Sequence, residues 1–134
     1  MAHYNKGASA ERELMRLFAQ NGFAVARSAG SGKNQLPTPD LIALKNGRHL
    51  SVECKAWRAK YLSISSVQMN DLKKWEGLSG GETFIAWKFP NKGWFFLKIE
   101  DFNMKKNYTI SFEKAQKVGK TLDVICGVQS VLVK

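Results

Sequence analysis

Asp40, Glu53 and Lys55 are the residues of this 134-residue chain whose types and spacing suit joint chemistry. Asp40 to Lys45 and Arg48 to Ala56 read as strands, and between them stands Asn46-Gly47, the strongest short signal for a two-residue type I′ hairpin. With Lys45 facing Arg48, Leu44 faces His49, Ile42 faces Ser51 and Asp40 faces Glu53. Side chains directly opposite in an antiparallel pair stand about 4.5–5.5 Å apart, and like charges placed so repel. Lys55, two residues past Glu53, projects from the same face. The other face carries Leu41, Ala43, Leu50, Val52 and Cys54 and is expected to pack a core.

Facing carboxylates suit a hard divalent cation. Mg2+ takes oxygen ligands, so Asp40, Glu53 and the main-chain carbonyl of Cys54 form a donor set, with waters and a substrate phosphate completing it. Mn2+ is expected to substitute. Such an ion assists attack on a phosphodiester by screening its charge and stabilising the leaving oxygen. Lys55 would then orient the attacking water or steady the charge developing on phosphorus, and Glu11 would reach the same place through a bound water. The competing reading takes Asp40 as a turn residue that starts a strand, and Glu53 and Lys55 as cross-strand partners.

Charge favours a polyanionic partner. Lys and Arg number 21 against 11 Asp and Glu, a net charge of +10. Between Leu14 and Val67 stand eight basic residues and two acids, and those two are Asp40 and Glu53. A surface that holds phosphates loses affinity from nearby carboxylates unless a cation lies between. With 44% hydrophobic residues the chain can bury a core, and its length fits one domain over residues 1–134. Apolar runs are far too short for a membrane span, and no secretory leader is legible at the start, so a cytoplasmic location is expected.

The elements that must position these residues follow from periodicity. A helix is expected over Lys6–Asn21, with Glu11 on its apolar stripe and Glu13 on a solvated or ion-paired face. Phe23–Arg27 reads as a strand, and residues 28–37 as a loop rich in Gly, Ser and Pro. After the hairpin come a short extension from Tyr61 to Ser65 and a helix from Ser66 to Leu78 closed by Gly80-Gly81. Strands follow over Thr83–Phe89 and Gly93–Ile99, then a weakly patterned basic stretch, 107–120, read as strand and loop. Thr121 caps a last helix expected to reach about Val131. The order implies an α/β fold with a central mixed sheet flanked by helices.

The order Glu11, Pro39-Asp40, Glu53-Cys54-Lys55 is similar to the pattern of the PD-(D/E)XK nuclease superfamily, whose fold is restriction-endonuclease-like. Residues 6–13, Lys-Gly-Ala-Ser-Ala-Glu-Arg-Glu, and 22–31, Gly-Phe-Ala-Val-Ala-Arg-Ser-Ala-Gly-Ser, resemble the archaeal Holliday junction resolvases, well to about residue 100 and poorly beyond. The resemblance implies that Asp40 and Glu53 bind Mg2+, that Lys55 is catalytic, and that Glu11 matches the family's N-terminal acid. It implies that Arg12 and Arg27 are basic residues needed for activity, and that Ser31 lies in a mobile loop bearing an important serine. The expected substrate is a four-way DNA junction in recombination and repair, nicked symmetrically by a homodimer. Ser28, Ser31 and Lys33 from the loop, with Arg12, Arg27, Arg58 and Lys60, are the expected DNA contacts. Lys105, Lys106, Lys114, Lys117 and Lys120 would extend that surface. The alternatives are a related nuclease acting on flaps or duplex DNA, and a basic module that binds DNA without cutting it.

Other features point elsewhere or nowhere. Gly30-Ser31-Gly32-Lys33 lacks the first glycine and the Ser or Thr of a phosphate loop, so no nucleotide cofactor is expected. Cys54 and Cys126 lack metal-ligand spacing and read as small buried side chains. His3, in a tail, and His49, down the hairpin, read as bystanders. The four tryptophans read mainly as core or interface. Met69, Leu72 and Trp75, with Phe84 or Trp87, are candidates for a dimer interface, unless they complete the chain's own core.

Overall fold

The computed structural model describes residues 2–28, 36 and 38–127, with the backbone alone for 2–6. Helix α1, Ala2–Gln20, places Ala10, Leu14 and Phe18 in one buried row at four-residue steps. Leu14 and Phe18 are fully buried, each worth about 1.5–3 kcal/mol of transfer free energy. The helix stops where Gly22 adopts φ 87°, with Gly22 N–H bonded to the Ala19 carbonyl and Phe23 N–H to that of Phe18. It begins earlier than periodicity indicated, so His3 lies within it rather than in a tail.

Strands β1, Ala24–Arg27, β2, Leu41–Lys45, and β3, Arg48–Ala56, form an antiparallel meander. The β2–β3 register is the one the turn demands: Lys45 opposes Arg48 and Leu41 opposes Val52. Asn46 and Gly47, at φ 49° and 83°, supply the two positive angles of the type I′ turn. After β4, Tyr61–Ile64, comes helix α2, Ser66–Ser79, with Ser65 as N-cap and Gly80 as left-handed C-cap. Strand β5, Glu82–Phe89, then pairs parallel to β3, and β6, Gly93–Leu97, antiparallel to β5. The result is a five-stranded mixed sheet in the order β1-β2-β3-β5-β6.

Both faces of its centre are covered. On one, Leu41, Ala43, Leu50, Val52, Phe84 and Ala86 pack against Leu14 and Phe18, as the hairpin pattern implied. On the other, Ile85 and Trp87 pack against Met69 and Leu72 of α2 and against a second, three-stranded sheet. That sheet joins β4 to β7, Asn103–Met104, and β8, Tyr108–Ser111, in the order β4-β8-β7.

Met69, Leu72, Phe84 and Trp87 are all at most 3% exposed and complete the chain's own core, so they are not free to form an interface. Trp75 is half-buried, its indole N–H donating to Ser51 Oγ at 2.6 Å. Residues 112–118 form helix α3, Phe112–Val118, capped by Ser111, where a loop was expected. Thr121 does cap helix α4, but α4 spans only Leu122–Ile125, with Gly127 at φ 85° beyond it; residues 128–134 lie outside the described residues.

Candidate active site

Asp40 sits one residue before β2, and Glu53 lies inside β3, so the hairpin register carries them to the same end of the sheet. Each is tied to the other's strand. The Cys54 backbone N–H donates to Asp40 Oδ2 at 2.9 Å, and the Asp40 backbone N–H supports the Glu53 carboxylate. Ser28 N–H bonds the Asp40 carbonyl at 2.8 Å, which attaches the end of β1 to the same point. Glu53 is 7% exposed, buried between the sheet and the start of α2.

Burial dominates the electrostatics. It pushes the Glu53 carboxyl up to about 8, reinforced by the Asp40 charge and opposed by Lys55. Burial likewise raises Asp40, while the Cys54 N–H and the Lys55 and Arg27 charges pull it back. The Glu11 charge is felt by both carboxylates. Burial also raises the Cys54 and Cys126 thiols, which disfavours the thiolate form.

Among the described residues no three His, Cys, Asp or Glu side chains form a cage for a metal ion. A hard cation such as Mg2+ asks for less: one or two carboxylates, with waters and phosphate oxygens supplying the rest. A buried and a half-buried carboxylate that repel one another, Glu53 and Asp40, fit that need, because a divalent ion would remove the cost of ionising both. The Cys54 carbonyl would offer a third oxygen, since a strand residue's N–H and C=O point to the same side and the Cys54 N–H points at Asp40.

Lys55 follows Glu53 on the same face, and its Nζ donates to Gln68 Oε1 at 3.2 Å. The Gln68 amide in turn donates to Glu53 Oε2 at 2.6 Å. Gln68 was not singled out in the sequence; Ser65-x-x-Gln68 is a helix-start signature that could have placed it in the first turn of α2. Glu11 and Arg27 also meet, Nε to Oε1 at 2.8 Å, across α1 and β1. Glu13 pairs instead with Lys88.

Arg12 is exposed, with no partner among the described residues. Ser28 Oγ lies 3.3 Å from Thr38 Oγ1 at the base of the loop. Arg58 and Lys60 are exposed on the segment after β3, at a cleft of about 520 Å3 beside the stacked rings of Phe89 and Phe112. Trp87 Nε1 holds this segment by donating to the Trp57 carbonyl at 2.9 Å. Trp57 is the tryptophan left exposed, at 37%. Ser31 and Lys33 lie outside the described residues.

A mixed five-stranded sheet flanked by helices, with two carboxylates and a lysine at one strand end, defines a restriction-endonuclease-like nuclease fold. The family model described as archaeal Holliday junction resolvase (hjc) matches residues 2–131. This chain therefore belongs to the archaeal Holliday junction resolvase family. It is 30% identical to the crossover junction endodeoxyribonuclease Hjc of Archaeoglobus fulgidus over 124 residues, covering 92% of this chain and 90% of that one. Against the protein of the same name from Methanocaldococcus jannaschii it is 37% identical over 107 residues, 80% of this chain and 77% of the other. The solved structure of Archaeoglobus fulgidus Hjc, a Holliday junction resolvase, superposes with a TM-score of 0.82 at 28% identity, covering 91% of this chain and 96% of that one.

Proposed function

We propose that residues 1–134 form a single nuclease domain, a Mg2+-dependent, structure-selective endodeoxyribonuclease that resolves four-way DNA junctions by paired symmetric nicks in the cytoplasm. The observation that carries this reading is the convergence of Asp40, Glu53 and Lys55 at one strand end of a chain with net charge +10. Membership of the resolvase family supports the junction as substrate.

A divalent cation held by Asp40, Glu53 and the Cys54 carbonyl supplies charge screening at the scissile phosphate. The same oxygen donors accept Mn2+. Lys55 gives one N–H to Gln68 and keeps two donors for a water or a phosphate oxygen. Arg27, oriented by Glu11, and the exposed Arg12 meet phosphates on the α1 side; Ser28, Ser31 and Lys33 also contact the DNA strand, as do Arg58 and Lys60 from beyond β3. A junction with twofold symmetry needs two coordinated cuts, so the active form is a homodimer.

The test is an end-labelled four-way junction incubated with and without Mg2+, beside a linear duplex of the same sequence. Paired nicks on the junction in Mg2+ are expected, and none in chelator. Equal cutting of the duplex removes the junction claim, and full cutting in chelator removes the metal.

A further inference from the structure

We infer that Gln68 is a positioning residue of this site, a spacer that keeps the Lys55 ammonium off the Glu53 carboxylate; the inference rests on the metal-dependent reading above. Lys55 and Glu53 stand two apart on one face of β3, so the long lysine side chain is within reach of its neighbouring acid. No such ion pair forms: the described ion pairs are Arg27–Glu11, Arg48–Glu82 and Lys88–Glu13. The Gln68 amide stands between the two groups instead, 3.2 Å from Lys55 Nζ and 2.6 Å from Glu53 Oε2.

Partner chemistry dictates which way that amide points. Lys55 has only donors, so it takes the amide oxygen, which turns the NH2 toward a Glu53 oxygen. The amide is held by its helix. Ser65 Oγ accepts from the Gln68 backbone N–H at 3.1 Å, and the adjoining Met69 is fully buried. The first turn of α2 is thereby bolted to the strand that carries both functional groups.

The consequence concerns charge. An ammonium in direct contact would cover a Glu53 oxygen and oppose any cation bound there. With Gln68 interposed, Glu53 accepts a neutral donor and its remaining lone pairs stay available, while Lys55 stays close but separate.

The experiment titrates Mn2+ into metal-free protein by calorimetry, for the parent, Gln68→Ala, Lys55→Ala and the double variant, with junction affinity measured in Ca2+. Gln68→Ala should weaken Mn2+ binding by about 10-fold and leave junction affinity within about 2-fold. In the Lys55→Ala background the same substitution should cost less than about 2-fold, because the collapse needs Lys55. A helix-packing role would not vanish when a lysine is removed. Gln68→Met, which keeps the bulk and the helix propensity, should reproduce the loss if the alanine variant fails to fold. Unchanged Mn2+ affinity in a folded variant, or a loss that persists without Lys55, overturns the spacer. A parent that binds no Mn2+ sinks the metal-dependent reading, and the spacer with it.

Discussion

At Glu53, burial and the facing Asp40 act in the same direction, and both make the ionised carboxylate costly without a cation. The group's folded value near 8 exceeds its ordinary 4.5, so the folded protein holds a proton that the unfolded chain has released. Stability from this group is thus fully present below about pH 4.5 and is lost as pH rises through about 8. In chelator, Glu53→Gln should remove this dependence and exceed the parent's stability at pH 9 by on the order of 2–4 kcal/mol, read by urea unfolding at pH 5 and pH 9. A parallel fall in parent and variant would show that the burial is not felt. The same variant should lose cleavage by at least about 100-fold while binding junctions nearly as well. Lys55→Ala should behave alike in the gel assay, since an orienting group that is not a fold element can go without unfolding the chain. Asp40→Asn should likewise lose nicking in Mg2+, and a variant that nicks as fast as the parent would remove Asp40 from the metal site.

Among the elements, the β2–β3 hairpin is where local chemistry does most. Its turn needs two positive φ angles, and nothing crowds the Cβ position of Gly47, so Gly47→Ala tests backbone strain alone. The expected cost is about 1 kcal/mol, seen as a lower urea midpoint with an unchanged slope. Cleavage well below the melting range should persist, because Cys54 still anchors Asp40. This hairpin was legible because turn and register are a matter of neighbouring residues. The second sheet was not: β4 pairs with β8 more than 40 residues on, and four-residue strands carry too short a pattern to announce a partner. Helix α3 was missed although Ser111 marks its start, because Phe112, Ala115 and the lysines around them make a weak stripe over only seven residues.

For the whole molecule the dominant quantity is charge. With net charge +10 and exposed Arg12, Arg58 and Lys60, affinity for a junction should fall steeply with salt. A surface that meets roughly 6–10 phosphates loses about 10^3–10^5 in affinity between 50 and 200 mM salt. A flat response in a filter-binding series would place the basic surface away from the DNA. No helix among the described residues is long and apolar enough to cross a membrane. The core consumes Met69, Leu72, Phe84 and Trp87, so a homodimer must use other surfaces, and sedimentation in the presence of junction is the measurement that reports it.

What the sequence determined alone was the pairing of Asp40 with Glu53 and the place of Lys55, because a type I′ turn and a two-residue period are local and admit one register. The company these residues keep came from packing instead: Gln68 from α2 between Glu53 and Lys55, and Arg27 of β1 on Glu11 of α1. Those contacts join segments 13 to 16 residues apart through the packing of helices on a sheet, and local periodicity carries the faces of such elements but not which polar side chains meet between them.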